Sequence, residues 1–321
     1  MNNGKGLQMN GLRIVGMGRG LPVKHVTNDD LAQIVDTNDE WIRKRTGISA
    51  RYYCSEDESN TTLAYDSVIE AMRSAGISAS QVGLCIAATV TPDYAVPCVA
   101  CRIQEQVGLP DGIPCFDINA ACSGFLYGLH LLSCMPVDEE RPFALLIGVE
   151  ELSRVTDMSD RSTCVLFGDG AACAVVKLKQ DGNFYSHIGA RGNTEILNIP
   201  GLNKGTSTIH MAGREVFAFA VDIVEKEIER LEEESAYSLS DMDFVVLHQA
   251  NERIIRHIQK KRDIPEEKLI VNIGYLGNTS AASVPLALYE LWKAGRLSTG
   301  KKIFTAGFGG GLTWGSAVLE F

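Results

Sequence analysis

Long apolar runs are missing from this chain. The longest, near Val82 and Phe143, are cut by Thr89, Asp93, Pro97 and Glu150. None approaches the roughly 20 apolar residues that a membrane helix needs. The start, Met1-Asn-Asn-Gly-Lys-Gly-Leu-Gln8, has no hydrophobic signal core, so a cytoplasmic protein with no membrane partner is expected. A basic excess is missing too. Lys and Arg number 30 against 40 Asp and Glu, for a net charge of −10. That balance argues against wholesale nucleic-acid or anionic-membrane binding. No cluster of His, Cys, Asp and Glu has metal-ligand spacing, so no metal is expected. No cysteine follows Cys173.

What is present suits a soluble globular fold. The 321 residues are 45% hydrophobic, with a mean hydropathy near zero. That length allows a sizeable core in two domains or two packed halves. The nine cysteines are odd in number and stand mostly in apolar surroundings. In a reducing compartment they are mostly small buried hydrophobes rather than disulfides. Cys98-Val-Ala-Cys101 matches C-x-x-C in form, but it lies in an apolar stretch with no second pair at zinc-ribbon spacing.

Strand-like runs occur at 12–15, 84–89, 115–118, 144–149 and 164–176, then at 244–247, 269–272, 303–306 and 316–321. Helical spacing intervenes at 61–75, 98–107, 123–132, 216–234, 253–262 and 281–294. This alternation predicts α/β layering with buried central strands. There is also an internal echo. Ala144-Leu-Leu-Ile-Gly148 is matched late in the chain by Ile303-Phe-Thr-Ala-Gly307, and small residues open a helix both at Cys122 and after Asn278. A duplicated α/β unit fits. The expected division is an extension over 1–11, a first half over 12–180 and a second half over 181–321.

Cys122 is the most telling residue. It stands in Asp117-Ile-Asn-Ala-Ala-Cys122-Ser-Gly124, where an apolar run gives way to helical spacing. A thiol at a helix N-terminus meets unpaired N–H groups and the positive end of the dipole, which favour thiolate. Acyl chemistry then needs partners. The second half offers His248 in His248-Gln-Ala-Asn251 and Asn278 in Gly277-Asn278-Thr-Ser280. His25, His130, His187 and His257 carry no such motif and are read as structural. Gly16-Met-Gly18-Arg-Gly20 follows a strand, but its spacing and Leu21-Pro22 oppose a dinucleotide turn.

Together these segments resemble the β-ketoacyl-[acyl-carrier-protein] synthase III family. So do Asp39-Glu-Trp41-Ile-Arg-Lys-Arg45-Thr-Gly47 and the ending Phe308-Gly-Gly-Gly-Leu-Thr-Trp-Gly315-Ser. The resemblance runs from about Leu12 to Phe321, with the motifs in the family's order. It implies a thiolase-like fold, two duplicated halves in α/β/α/β/α layers, assembled as a homodimer. It implies decarboxylative Claisen condensation of an acyl-CoA with malonyl-[acyl-carrier-protein], initiating type II fatty-acid synthesis, with acyl-CoA as substrate and no cofactor. Cys122 would carry the acyl group, while His248 and Asn278 would hold the malonyl carbonyl. The N–H groups of Gly310 and Cys122 would form the oxyanion hole, and Phe308 would flank the carboxylate. Trp41, Arg45 and Arg161 would hold the adenosine phosphates of coenzyme A, with Gly213 and Asn251 along its pantetheine arm.

Two departures touch that CoA site. Arg214 stands where well-known members have Asn, and Ser162 replaces a common Gly. Val96 takes the place of a Phe which, in acetyl-preferring relatives, reaches across the dimer to close the acyl pocket. Arg253, Arg256, Lys260 and Lys261 give a helix a positive face, a candidate dock for an acidic carrier protein. Glu232-Glu-Glu234 reads as a solvated helix end. The alternatives are a relative serving specialised metabolism and a non-catalytic thiolase-fold binding protein. Degradative thiolases need a second late cysteine, and elongating ketosynthases pair two histidines.

Overall fold

In a computed structural model of the chain, residues 10–180, 182, 184–201 and 207–321 are described. Most of the expected extension over 1–11 therefore lies outside the described residues. The first half runs β1 (Gly11–Gly20), β2 (Lys24–Thr27), α1 (Asn28–Leu31), α2 (Asp39–Thr46), β3 (Ala50–Tyr53) and α3 (Asn60–Ala75). It continues with β4 (Val82–Ala88), α4 (Val99–Val107), β5 (Cys115–Ile118), α5 (Gly124–Cys134), β6 (Phe143–Glu150) and β7 (Gly170–Lys179). The second half has β8 (Ser186–Asn193), β9 (Leu197–Asn198), β10 (His210–Met211), α6 (Gly213–Glu234), β11 (Phe244–Leu247) and α7 (Glu252–Lys261). It ends with α8 (Ile273–Leu276), α9 (Ser283–Lys293), β12 (Lys302–Gly309) and β13 (Gly311–Glu320).

The duplication is plain in the sheet. The first half orders its strands β5-β4-β6-β7-β1, and the second β11-β12-β13-β8. β4–β6 and β11–β12 are parallel, while β6–β7, β7–β1, β12–β13 and β13–β8 are antiparallel. One parallel register pair, Arg13 with Glu320, joins the halves. The expected strand at 269–272 is only a bridge from Leu269 to Val245, the counterpart of the β4–β5 pairing. The expected strand at 164–176 begins only at Gly170, because 160–166 turns through hydrogen bonds onto Asp160 and Thr163.

Period-two alternation sets the layers. Along β6, Ala144 and Leu146 face one core with Leu126 and Leu129 of α5 and Val284 and Leu288 of α9. Leu145, Ile147 and Val149 face the opposite core with Leu63 and Val68 of α3 and Ile103 of α4. Val245 and Leu247 of β11 pack outward on α6 and α7 through Ile228, Ile255 and Ile258. The layers are thus α3/α4, sheet, α5/α9, sheet, α6/α7. The glycines of Gly16-Met-Gly18-Arg-Gly20 sit inside β1 and admit α3. A Cβ on Gly16 would come 2.5 Å from the Ala71 carbonyl, and one on Gly18 would strike that of Ser67. Among the described residues no helix is long and apolar enough to cross a membrane.

Candidate active site

Equivalent turns open the two central helices. Ala121–Ser123 forms a 3-10 turn into α5, and Ser280–Ala282 forms one into α9. Both helices have 11 residues. Ala121 and Ser280 both take φ 47°, a left-handed conformation that aims the next residue across the helix start. Asn119 and Asn278 brace the turns alike, their Oδ1 atoms accepting N–H bonds from Ala121 at 3.3 Å and Ser280 at 2.9 Å. Cys122 therefore does stand at a helix N-terminus.

The expected thiolate does not follow. Burial pushes the Cys122 thiol up to about 12, and Glu150 adds to the rise, while the Ser280 side chain opposes it. Cys122 still shows some surface, because it forms the floor between two cavities. Desolvation outweighs the helix terminus here.

The larger cavity holds about 740 Å³ and brings Cys122, His248, Asn278 and Phe308 together. His248 follows β11, and its N–H donates to the Ala306 carbonyl of β12 at 2.9 Å. The ring is 2% exposed, and burial pulls its pKa down to about 3. It is a neutral imidazole near pH 7. Nδ1 lies 2.5 Å from Ser283 Oγ, which accepts the Gln249 N–H at 3.4 Å. That leaves the hydroxyl proton for Nδ1 and places the ring proton on Nε2. Asn278 is equally fixed. Its N–H donates to the Leu166 carbonyl at 2.8 Å, and its Oδ1 takes the Ser280 N–H at 2.9 Å. With Oδ1 occupied, Nδ2 is the group left to donate. Phe308 meets His248 edge-on, with ring centroids 5.2 Å apart.

Gly309 touches Cys122 most closely: a Cβ there would lie 2.6 Å from the Cys122 nitrogen. Gly310 lines the smaller cavity with Cys122. The mouth of the larger cavity is walled by Trp41, Arg45, Arg161, Ser162, Gly213, Arg214, Asn251 and Arg253. Arg45 and Arg161 place their guanidiniums 4.9 and 4.8 Å from the Trp41 ring centroid. Asn251 also caps α7 through the Arg253 N–H at 2.9 Å and donates to the Arg45 carbonyl at 3.2 Å. Its structural and lining roles coexist.

The positive face of α7 needs correcting. Arg256 is not a free cation, since it pairs with Glu252 at 3.0 Å and Glu266 at 2.6 Å. Lys261 meets Glu225 at 3.3 Å. Among the described residues, Arg253 and Lys260 have no such partner. Val96 is 82% exposed and lines neither cavity of its own chain. The four histidines read as structural make local contacts. His187 bonds Glu227 at 2.9 Å, His130 bonds Ser186 at 2.9 Å, and His25 and His257 pack edge-on against Tyr52 and Phe217. Ser283, Ser280 and Glu150 escaped the sequence reading. The two serines lie within the Asn278 motif, but serines in a Ser/Ala run carry no signal of their own.

Residues 116–192 match the model of 3-oxoacyl-[acyl-carrier-protein] synthase III, and 232–321 match the model of that enzyme's C-terminal part. A β-ketoacyl-[acyl-carrier-protein] synthase III of Clostridium botulinum is 42% identical over 324 residues, 97% of this chain and 99% of that one. This chain belongs to the β-ketoacyl-[acyl-carrier-protein] synthase III family. A relative from Xanthomonas campestris is 41% identical, over 96% of this chain and 98% of its own. The crystal structure of the Aquifex aeolicus 3-oxoacyl-[acyl-carrier-protein] synthase III superposes with a TM-score of 0.90 at 41% identity, covering 97% of this chain and 100% of that one. The fold is thiolase-like, as the resemblance implied.

Proposed function

We propose that this protein condenses an acyl-CoA with malonyl-[acyl-carrier-protein], giving a 3-oxoacyl-[acyl-carrier-protein], CO2 and free CoA at the start of fatty-acid synthesis. The observation that carries this is the convergence of Cys122, His248, Asn278 and Phe308 on one cavity with a mouth of Trp41, Arg45 and Arg161. In the first half-reaction Cys122 Sγ attacks the thioester carbonyl. The new S–C bond forms, the bond to CoA sulfur breaks, and the acyl group stays on Cys122. The N–H groups of Cys122 and Gly310 face the developing oxyanion. CoA lies along Asn251 and Gly213, with its adenosine end at Trp41, Arg45 and Arg161.

In the second half-reaction the malonyl thioester oxygen takes hydrogen bonds from His248 Nε2–H and Asn278 Nδ2–H. Loss of CO2 leaves an enolate whose charge those donors stabilise. Its α-carbon attacks the acyl thioester, and Cys122 leaves as thiolate. A neutral His suits this role, because it donates without giving up a proton. Phe308 keeps the carboxylate poorly solvated and so favours its loss.

The same reading makes the chain a cytoplasmic homodimer with no cofactor and no nucleic-acid or membrane partner. Val96 closes the acyl pocket of the second subunit, and Arg253 and Lys260 meet the acidic carrier protein. Incubating the protein with acyl-CoA and then malonyl-[acyl-carrier-protein] tests the proposal. An acyl mass on Cys122, absent in Cys122→Ser and discharged by the second substrate, supports it. No adduct in the parent protein would overturn it.

A further inference from the structure

Gln249 follows His248 in the chain and is 1% exposed. Its side-chain amide is fully used. Nε2 donates to the Leu247 carbonyl at 2.7 Å and to the Ile270 carbonyl at 3.2 Å. Oε1 accepts the N–H groups of Asn272 at 3.0 Å and Ile273 at 3.3 Å. Two carbonyls on one side and two N–H groups on the other leave a single orientation for the amide. The Gln249 backbone is engaged as well, its N–H donating to Ser283 Oγ at 3.4 Å.

These bonds join the segments that carry the two carbonyl-binding donors. Leu247 ends β11, just before His248. Asn272 heads α8 without capping it through its own side chain, so Gln249 supplies the acceptor that the helix start lacks. The helix is 4 residues long and leads straight into Gly277 and Asn278. The Gly277 N–H closes it onto the Ile273 carbonyl at 2.9 Å, so the placement of Ile273 is passed on to Asn278. Among the described residues, no other side chain hydrogen-bonds both the end of β11 and the 270–273 segment. Gln249 thus ties His248 to the chain before Asn278, as Ser283 ties it to the chain after.

The chemistry makes this spacing matter. One thioester oxygen has to receive His248 Nε2–H and Asn278 Nδ2–H together. A displacement of about 1 Å in such an arrangement can cost about 10²-fold in rate. His248 and Asn278 stand on different segments, so their separation is only as firm as the ties between those segments.

We propose that Gln249 sets the separation of His248 Nε2 and Asn278 Nδ2, and so governs decarboxylation of the malonyl thioester without serving the loading of Cys122. This rests on the proposed condensation. Gln249 lines neither cavity. It touches no substrate and is a positioning residue. A purely structural tie would behave otherwise, lowering the folded fraction and both half-reactions together.

The test uses the full chain and two variants. Gln249→Met keeps the length and removes all four side-chain bonds. Gln249→Glu is milder, because burial favours the neutral acid, which keeps the shape, one donor and one acceptor. Each is made in the parent and in Asn278→Ala, with melting curves alongside. Loading of Cys122 by butyryl-CoA and its discharge by malonyl-[acyl-carrier-protein] are followed by mass in single turnovers. Gln249→Met should slow discharge by about 10–10²-fold and leave loading nearly unchanged. In Asn278→Ala the same change should cost discharge little, because the group whose place it sets is already gone. Gln249→Glu should follow with a smaller loss, and it decides alone if Gln249→Met does not fold. Discharge at the parent rate, equal losses in both half-reactions, or an undiminished loss in Asn278→Ala would each overturn the proposal. A parent protein that takes up no acyl group would instead refute the condensation on which it rests.

Discussion

The Ser283 hydroxyl lies 2.5 Å from His248 Nδ1 and fixes which ring nitrogen carries the proton. Ser283 belongs to α9, in the central helix layer, while His248 follows β11 of the sheet. The contact therefore ties the tautomer to the packing of α9 on the strands of its own half. Ser283→Ala should release the ring and let Nδ1 take the proton. Discharge of acyl-Cys122 by malonyl-[acyl-carrier-protein] should then slow by about 10-fold, less than the 10²–10³ for losing an oxyanion donor outright. Loading of Cys122 should change little. Single-turnover measurement of the two half-reactions checks this, and equal losses in both would contradict it.

His248→Ala and Asn278→Ala should each slow decarboxylation by about 10²–10³ while sparing acylation more. Cys122→Ala should abolish the acyl adduct and leave the fold intact. The pH dependence of stability follows from burial. His248 sits near 3 when folded and near the ordinary 6.5 when unfolded, so below about pH 6.5 the unfolded chain binds more protons there. This site therefore removes stability as pH falls from about 6.5 towards 3. His248→Gln should flatten that part of a pH series of melting curves. An unchanged slope would count against a buried neutral imidazole.

Arg253→Glu should weaken use of malonyl-[acyl-carrier-protein], more at low salt than at high, since an exposed charge contact is screened. Arg256→Ala should act on stability instead, by about 0–1 kcal/mol, because it removes exposed pairs with Glu252 and Glu266. Carrier-protein KM against ionic strength separates the two. Equal KM in the parent and Arg253→Glu would return this face to solvent.

Legibility divided along physical lines. Phe244–Leu247 was expected with its observed limits, because a short buried strand shows as an unbroken apolar run, and Cys115–Ile118 with its own although Asp117 interrupts it and it is only half-buried. Ser186–Asn193 was not expected. Its glycines, His187 and Arg191 give no apolar run, and it is a strand by virtue of pairing with β13. Asp39–Thr46 was not expected as a helix either, since its 8 residues are mostly polar and it starts on the Asn38 cap rather than on an apolar stripe. Cys164–Phe167 misled for the opposite reason. It is apolar because turns bury it against Ile42, Ile48 and Leu152, not because it pairs as a strand. Cys122, His248 and Asn278 were legible through their motifs. The high Cys122 thiol was not, since desolvation is set by the walls of the cavities. Glu150 was passed over as a break in an apolar run.

On the proposed function, the smaller cavity is where the starter acyl group would lie. It holds about 420 Å³ and opens from Cys122 between Val90, Leu152, Leu197, Ile199 and Ile209. An acyl chain on Sγ would have these apolar walls to enter, and Val96 is several carbons smaller than a Phe. Each further buried methylene contributes about 0.8 kcal/mol, or about fourfold in kcat/KM. Butyryl-CoA and isobutyryl-CoA should therefore serve at least as well as acetyl-CoA. Ile209 is 6% exposed within the chain itself, so Ile209→Trp should fill the cavity and return the preference to acetyl-CoA whatever the second subunit contributes. Val96→Phe should shift it the same way only if residue 96 reaches the partner's pocket. The measurement is kcat/KM for the three starters in parent and variants. A strong acetyl preference in the parent, unchanged in both variants, would show that this cavity does not hold the acyl chain.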